Sequence, residues 1–138
     1  MHDREHRCLI DSNVWLYAFV ESGEREKSAV ARSIVQTSNA VISTQVINEV
    51  CVNLISKAGL SETDVRRMVM SFYRRYTVVP VDKSTLVKAS ETREQHSISF
   101  WDSLILASAI LAGVEVLYSE DMQDGFEIDG VRIVNPFR

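Results

Sequence analysis

A chain of 138 residues falls within the size of one folding unit, and 46% hydrophobic with 25% charged residues is an ordinary globular composition. Five glycines and two prolines exclude a low-complexity chain, and a core of this size needs no disulfide or structural metal to hold it. A formal net charge of −4 excludes a protein that grips nucleic acid through a general positive field.

Arg7-Cys8-Leu9-Ile10-Asp11 reads as a short buried strand stopped by a polar turn. Ser12 and Asn13 offer capping side chains to Val14–Val20, a mostly buried helix whose periodicity alone also fits a strand. Glu21-Ser22-Gly23 breaks it, and Glu24 to Gln36 has the pattern of a surface helix. Ala40–Ser43 is the second strand. Thr44 is placed to cap a helix to about Lys57, with Val46, Ile47, Val50 and Leu54 at helical spacing, ended by Gly59. Ser61 and Asp64 have capping-box spacing for a helix to about Tyr76, followed by a strand over Thr77–Val81. Asp82 or Ser84 caps a helix from Thr85 to about Gln95. A strongly apolar helix runs from Ser103 to Ala112 and closes at Gly113. Glu115–Tyr118 is the fourth strand and Val131–Val134 a short final one.

Strands alternating with helices predict a three-layer α/β/α sandwich with a central, mainly parallel sheet, because parallel neighbours need crossover helices. Residues 1–138 are expected to form a single domain, with no linker and no internal repeat. Cys8 and Cys51 lie in apolar runs without CxxC spacing and read as buried small hydrophobes of a reduced protein. The charged start, Met1 to His6, lacks a signal-peptide core, and no apolar run approaches the roughly 18 residues of a membrane span. The expectation is a cytoplasmic protein with no membrane attachment.

Polarity then gathers the acids. In a parallel sheet, strand carboxyl ends and helix amino ends share one edge, where such folds bind ligands. Asp11 ends the first strand, Asp121 follows the fourth, Asp102 lies near the start of the most apolar helix, and Glu49 is in the second turn after strand two. Singly, each has a plainer reading. Asp11 could be a turn residue, Asp102 could close a box with Ser99, Glu49 could be a solvated boundary residue, and Asp121 could belong to an acidic turn with Glu120 and Asp124. Convergence of the four on one edge carries the case. Four such carboxylates repel unless a cation lies among them, and an all-oxygen set suits Mg²⁺ or Mn²⁺. Without these four charges the formal net charge would be zero.

The residues at these positions resemble the PIN domain family. Asp11-Ser12-Asn13-Val14 is similar to its opening motif, and Ser43 to Val50 to its second acidic motif. Trp101-Asp102-Ser103 leading into Leu104–Ala109 is similar to the third, and Ser119-Glu120-Asp121 to the fourth. Their order matches across nearly the whole chain, up to Val131–Phe137. The resemblance implies a Rossmann-like topology and a Mg²⁺- or Mn²⁺-dependent endoribonuclease. In its compact form it resembles VapC-type toxins of type II toxin–antitoxin pairs, which implies an RNA substrate, a cognate antitoxin and a homodimer. It implies metal binding and catalysis at Asp11, Glu49, Asp102 and Asp121, with Ser12 and Ser119 as supporting residues and Asp124 as an accessory acid. Some relatives carry a further acid where this chain has Ser99, which leaves one or two ions open.

The histidines fall outside the motifs: His2 and His6 in the amino-terminal tail, His96 near a helix end, all read as surface residues. That argues against acid–base catalysis by histidine pairs. Positive charge for RNA is available at Arg66, Arg67, Arg74 and Arg75, and singly at Arg93, although a solvated helix face is the better account of the cluster. Trp15, Tyr17, Phe72 and Tyr73 serve either the core or a partner. A receiver-like domain would need paired acids near Asp11 and a late lysine, and a haloacid-dehalogenase-type phosphatase an acid where Asn13 stands; both fail. The remaining alternative is a noncatalytic RNA-docking or protein-binding module of the same fold, against which stands the retention of four mutually repelling acids.

Overall fold

The computed structural model describes residues 7–20, 23–37 and 39–138. The expectations for Met1–His6, for His2 and His6, and for Glu21 and Ser22 lie outside these residues. In chain order the elements are β1 (Arg7–Ile10), α1 (Ser12–Phe19), α2 (Arg25–Thr37), β2 (Asn39–Ser43), α3 (Thr44–Ala58) and α4 (Glu62–Arg75). They continue with β3 (Thr77–Val79), α5 (Lys83–Gln95), α6 (Phe100–Ala112), β4 (Val116–Tyr118), β5 (Glu127–Ile128) and β6 (Val131–Val134).

The strands form one sheet in the order β3-β2-β1-β4-β6-β5, parallel throughout except for the β5–β6 hairpin. With the order reversing after β3, crossovers of one hand, as is general for such connections, put α1 to α4 on one face and α5 and α6, which pack on each other, on the opposite face. This is the expected three-layer, mainly parallel arrangement. The path leaves β1 in one direction for β2 and β3, then returns on the far side of β1 at β4. The crevice at such a reversal, between the carboxyl ends of β1 and β4, is where open α/β sheets bind ligands.

Local chemistry sets the helix ends. Asp11 is itself the cap of α1, so the expected capping by Ser12 and Asn13 gives way to the residue before them. Ser43 rather than Thr44 caps α3, its oxygen accepting from Val46 N–H. Asp82 caps α5, Ser61 and Asp64 form the expected box at α4, and Ser99 caps α6 by accepting from Asp102 N–H. The last helix therefore starts three residues earlier than its apolar run suggested.

Leu9, Ile10, Val41, Ile42, Leu106, Leu117 and Ile133 are fully or almost fully buried around the central strands. Trp15 fixes α1 to the neighbouring helices: its Nε1 donates to Ile10 O at 3.1 Å, and its ring meets Phe72 and Tyr76 edge-on at 5.2 and 5.1 Å. Trp15 and Phe72 thus belong to the core, whereas Tyr73 is exposed. Cys8 and Cys51 are buried, as expected. Among the described residues no helix is long and apolar enough to cross a membrane.

Candidate active site

Asp11 stands at the reversal point of the sheet. Its N–H donates to Tyr118 O at 2.9 Å, continuing the β1–β4 ladder one residue past the strand. The residue is only 6% exposed. One carboxylate oxygen accepts from Ser12 N–H at 2.7 Å and the other from the buried Ser119 hydroxyl at 2.8 Å. Ser119 Oγ in turn accepts from Met122 N–H at 3.3 Å, so one hydroxyl ties the ends of β1 and β4 to the turn beyond. The Ser119 side chain thus contacts Asp11 directly. For Ser12 the contact is made by the backbone, not the hydroxyl.

Burial pushes the Asp11 carboxyl up to about 6, against the pull of the Ser119 and Ser12 hydrogen bonds, and the negative charges of Glu49 and Asp102 push it further. Those charges bring three of the four predicted acids, from β1, α3 and α6, into mutual electrostatic range. Glu49 and Asp102 are half-buried. Glu49 accepts from Gln45 Nε2 at 3.2 Å, one helical turn earlier. Asp121 is exposed, and its Oδ2 accepts from Asn13 Nδ2 at 3.0 Å. It shares with Asp102 the wall of a cavity of about 310 Å³, whose lining also includes His96, Ser99, Met122 and Phe126. The exposed Asp121 is therefore held by Asn13, two residues after Asp11, and lines one cavity with Asp102.

Asp124 is engaged elsewhere. Its Oδ1 accepts from Asn135 N–H at 2.8 Å, and its other oxygen lies 3.9 Å from Arg138. Among the described residues no three His, Cys, Asp or Glu side chains form a ligation set as they stand. The donor chemistry nevertheless fits a hard divalent cation. Asp11 is a buried carboxylate facing two like charges, and Gln45 Oε1, buried beside Glu49, has no donor among the described residues. Asp11 is held through both its oxygens, and the half-buried Glu49 and Asp102 are the like charges that act on it.

Several participants escaped the sequence reading. Asn13 accepts from Glu120 N–H at 3.4 Å as well as donating to Asp121, so it clamps the acidic turn. Glu120 is held from its other side by Tyr17 Oη at 2.9 Å and by an ion pair with Lys27. That contact raises the Lys27 ammonium's pKa above its ordinary value. His96 is not a plain surface residue: it is half-buried, meets Phe126 edge-on at 5.5 Å and lines the cavity. Arg74 and Arg75 flank the amino ends of β2 and β3, together with Asn39 and Thr77. They lie at the sheet edge opposite Asp11 and are exposed. No positional signal short of the folded topology could have separated them from Arg93, which reaches α6 beside Asp102.

Comparison with known proteins gives the family and the fold. A family model described as PIN domain matches residues 8–126. Among solved structures the chain is similar to one from a toxin–antitoxin complex of Klebsiella pneumoniae, at 21% identity and a TM-score of 0.70, covering 94% of this chain and 97% of that one. It is also similar to a sarcin–ricin loop cleaving toxin of Mycobacterium tuberculosis, at 16% identity and a TM-score of 0.64, covering 80% and 86%. FitAcB of Neisseria gonorrhoeae gives 15% identity and a TM-score of 0.66, covering 94% and 98%. At these identities the likeness shows a shared fold. No curated protein sequence matches the chain. Because the family model runs from β1 past the acidic turn and takes in Asp11, Glu49, Asp102 and Asp121, the chain belongs to the PIN domain family.

Proposed function

We propose that this chain is a Mg²⁺- or Mn²⁺-dependent endoribonuclease, the toxin of a type II toxin–antitoxin pair, with its catalytic, metal-binding site at Asp11, Glu49, Asp102 and Asp121. The observation that carries the proposal is the buried Asp11 carboxylate at the sheet's reversal point, pushed toward protonation by burial and by the charges of Glu49 and Asp102. Support comes from family membership and from a fold shared with a sarcin–ricin loop cleaving toxin and with chains of toxin–antitoxin complexes. On the same footing the chain acts as a single domain over residues 1–138, works in the cytoplasm, pairs as a homodimer and is held in check by an antitoxin.

Each acid contributes differently in this scheme. Asp11 is the rigid anchor, because Ser119 and Ser12 N–H fix both its oxygens. Glu49, oriented by Gln45, and Asp102, at the start of α6, complete the inner set. Asp121, steadied by Asn13, closes the rim where the RNA backbone enters. A cation held there supplies Lewis acidity toward a phosphodiester oxygen and lowers the pKa of water. Ser12 and Ser119 keep the anchor in place, and Asp124 acts at one remove through the Asn135 turn.

Incubation of the purified protein with total RNA tests this. Cleavage with Mg²⁺ or Mn²⁺ that stops in excess EDTA and in Asp102→Asn is the expected result. Cleavage that persists under either condition overturns the proposed chemistry, and no cleavage under any condition leaves the noncatalytic docking module as the better account.

A further inference from the structure

The site described above leaves unused an exposed aromatic pair beside it. Phe100 and Trp101 open α6, in the two positions before Asp102, and are 54% and 63% exposed. The helix they begin is otherwise the most deeply embedded, with Ser103 to Ala109 all buried. Two large aromatic rings more than half exposed at its start leave apolar surface in water that burial would remove. Their rings are 5.6 Å apart and inclined at 72°, so they present two differently angled apolar faces.

Charge distinguishes this patch from the molecule's other exposed apolar residues. The Arg93 guanidinium lies over the Phe100 ring, 4.1 Å from its centroid, and is steered there by a 2.6 Å hydrogen bond from Nη1 to Ser103 Oγ. Among the described residues Arg93 has no carboxylate partner. A cation with donors to spare, over an aromatic ring that lies close in sequence to the acid Asp102, matches a ligand that joins π surfaces to negative charge. Single-stranded RNA is such a ligand: an aromatic ring stacks any unpaired base, and a guanidinium meets the adjoining phosphate. In a duplex the base faces are already stacked on one another.

We propose that Phe100 and Trp101, backed by Arg93, form a stacking platform that holds an unpaired nucleobase next to the scissile phosphate. The proposal rests on the nuclease reading and deepens it: the enzyme selects RNA whose bases are unstacked at the cut. Phe100 and Trp101 act on binding and register, not on the acids.

Trp101 is its own reporter. The only other tryptophan, Trp15, is fully buried at 0% exposure, so Trp101 is the indole open to a ligand. The full chain carrying Asp11→Asn, kept in EDTA to prevent cutting, is titrated with a single-stranded adenosine decamer and with a duplex of equal length. Emission is followed alongside the anisotropy of labelled RNA. Saturable quenching by the single strand, with tighter binding than the duplex, is expected. Phe100→Ala and Trp101→Ala should each weaken single-strand binding about tenfold, and Trp101→Phe should recover most of the loss. Equal affinity of the alanine variants and the parent, or equal binding of duplex and single strand, would overturn the platform. So would Trp101→Ala converting a dimer to a monomer without changing RNA affinity, since the pair would then be a contact between copies. Metal-dependent cleavage by the wild type with unaffected alanine variants sinks the platform alone. Selective stacking without any cleavage sinks the nuclease reading alone.

Discussion

Asp11 holds its proton more tightly in the folded chain than in the unfolded one, with a carboxyl at about 6 against an ordinary 3.8. Its contribution to stability is therefore greatest below about pH 3.8, declines as pH rises toward 6, and stays at its minimum above that. A shift of this size is worth about 3 kcal/mol. In metal-free buffer at pH 8, Asp11→Asn should be more stable than wild type by about 1–3 kcal/mol, and the gain should vanish near pH 4; urea unfolding at the two pH values measures it. A gain independent of pH would mean that ionised Asp11 carries no such penalty. Ser119→Ala acts in the opposite sense. It strips a buried donor from Asp11 and an acceptor from Met122 N–H, and should cost about 1–3 kcal/mol while pushing the Asp11 carboxyl higher still. Asp11 was legible in sequence because it ends a strand, where local pattern and edge polarity agree, whereas Ser119 was singled out only by the family resemblance, as a hydroxyl residue two before an acid. Asn13 was not, because its partner Asp121 lies 108 residues away and only the β1–β4 pairing brings them together.

Helices were the readable elements, and their caps explain why. Ser61, Ser99, Gly59 and Gly113 carry side-chain or backbone preferences that act over three or four residues, within reach of a local pattern. The α6 boundary shifted because Phe100 and Trp101 are helical yet exposed, and an apolar run does not record exposure. The hairpin strand β5 went unread because two residues are too few to show alternation. Its signal lay in the turn, where Asp129 and Gly130 have φ of 48° and 83°, the Asp-Gly geometry of a tight hairpin. Gly113 tests the capping account directly. It ends α6 at φ 70°, and a methyl group there would meet nothing within 4 Å. Gly113→Ala should therefore cost only the left-handed backbone penalty, about 1–2 kcal/mol, seen as a lower urea midpoint with unchanged slope. A loss of about 4 kcal/mol or more would imply a clash that the structure does not contain.

At the scale of the molecule, strand order decides where the chemistry sits, and strand order is what the sequence withheld. Alternating strands and helices imply a parallel sheet, but not that β4 lies against β1; that adjacency places Asp11 beside Ser119 at the reversal point. The same topology sends Arg74 and Arg75 to the far edge, whereas Arg93 reaches Ser103, next to Asp102. A fold that assembles acids from β1, α3 and α6 stores their repulsion in the folded state alone, since the unfolded chain holds them far apart. A cation that relieves this repulsion must therefore bind the native state selectively, and it stabilises by mass action, by about 2.7 kcal/mol at roughly one hundred times its Kd. Thermal unfolding in rising Mn²⁺ should show a saturable increase in Tm. Asp11→Asn, which removes the buried anchor, should abolish most of it; Asp121→Asn, at the exposed rim, should remove less. Sodium chloride at equal ionic strength controls for general screening, which would raise all variants alike. If wild type and Asp11→Asn gain equally from Mn²⁺, the ion binds elsewhere and the reversal point of the sheet holds no metal.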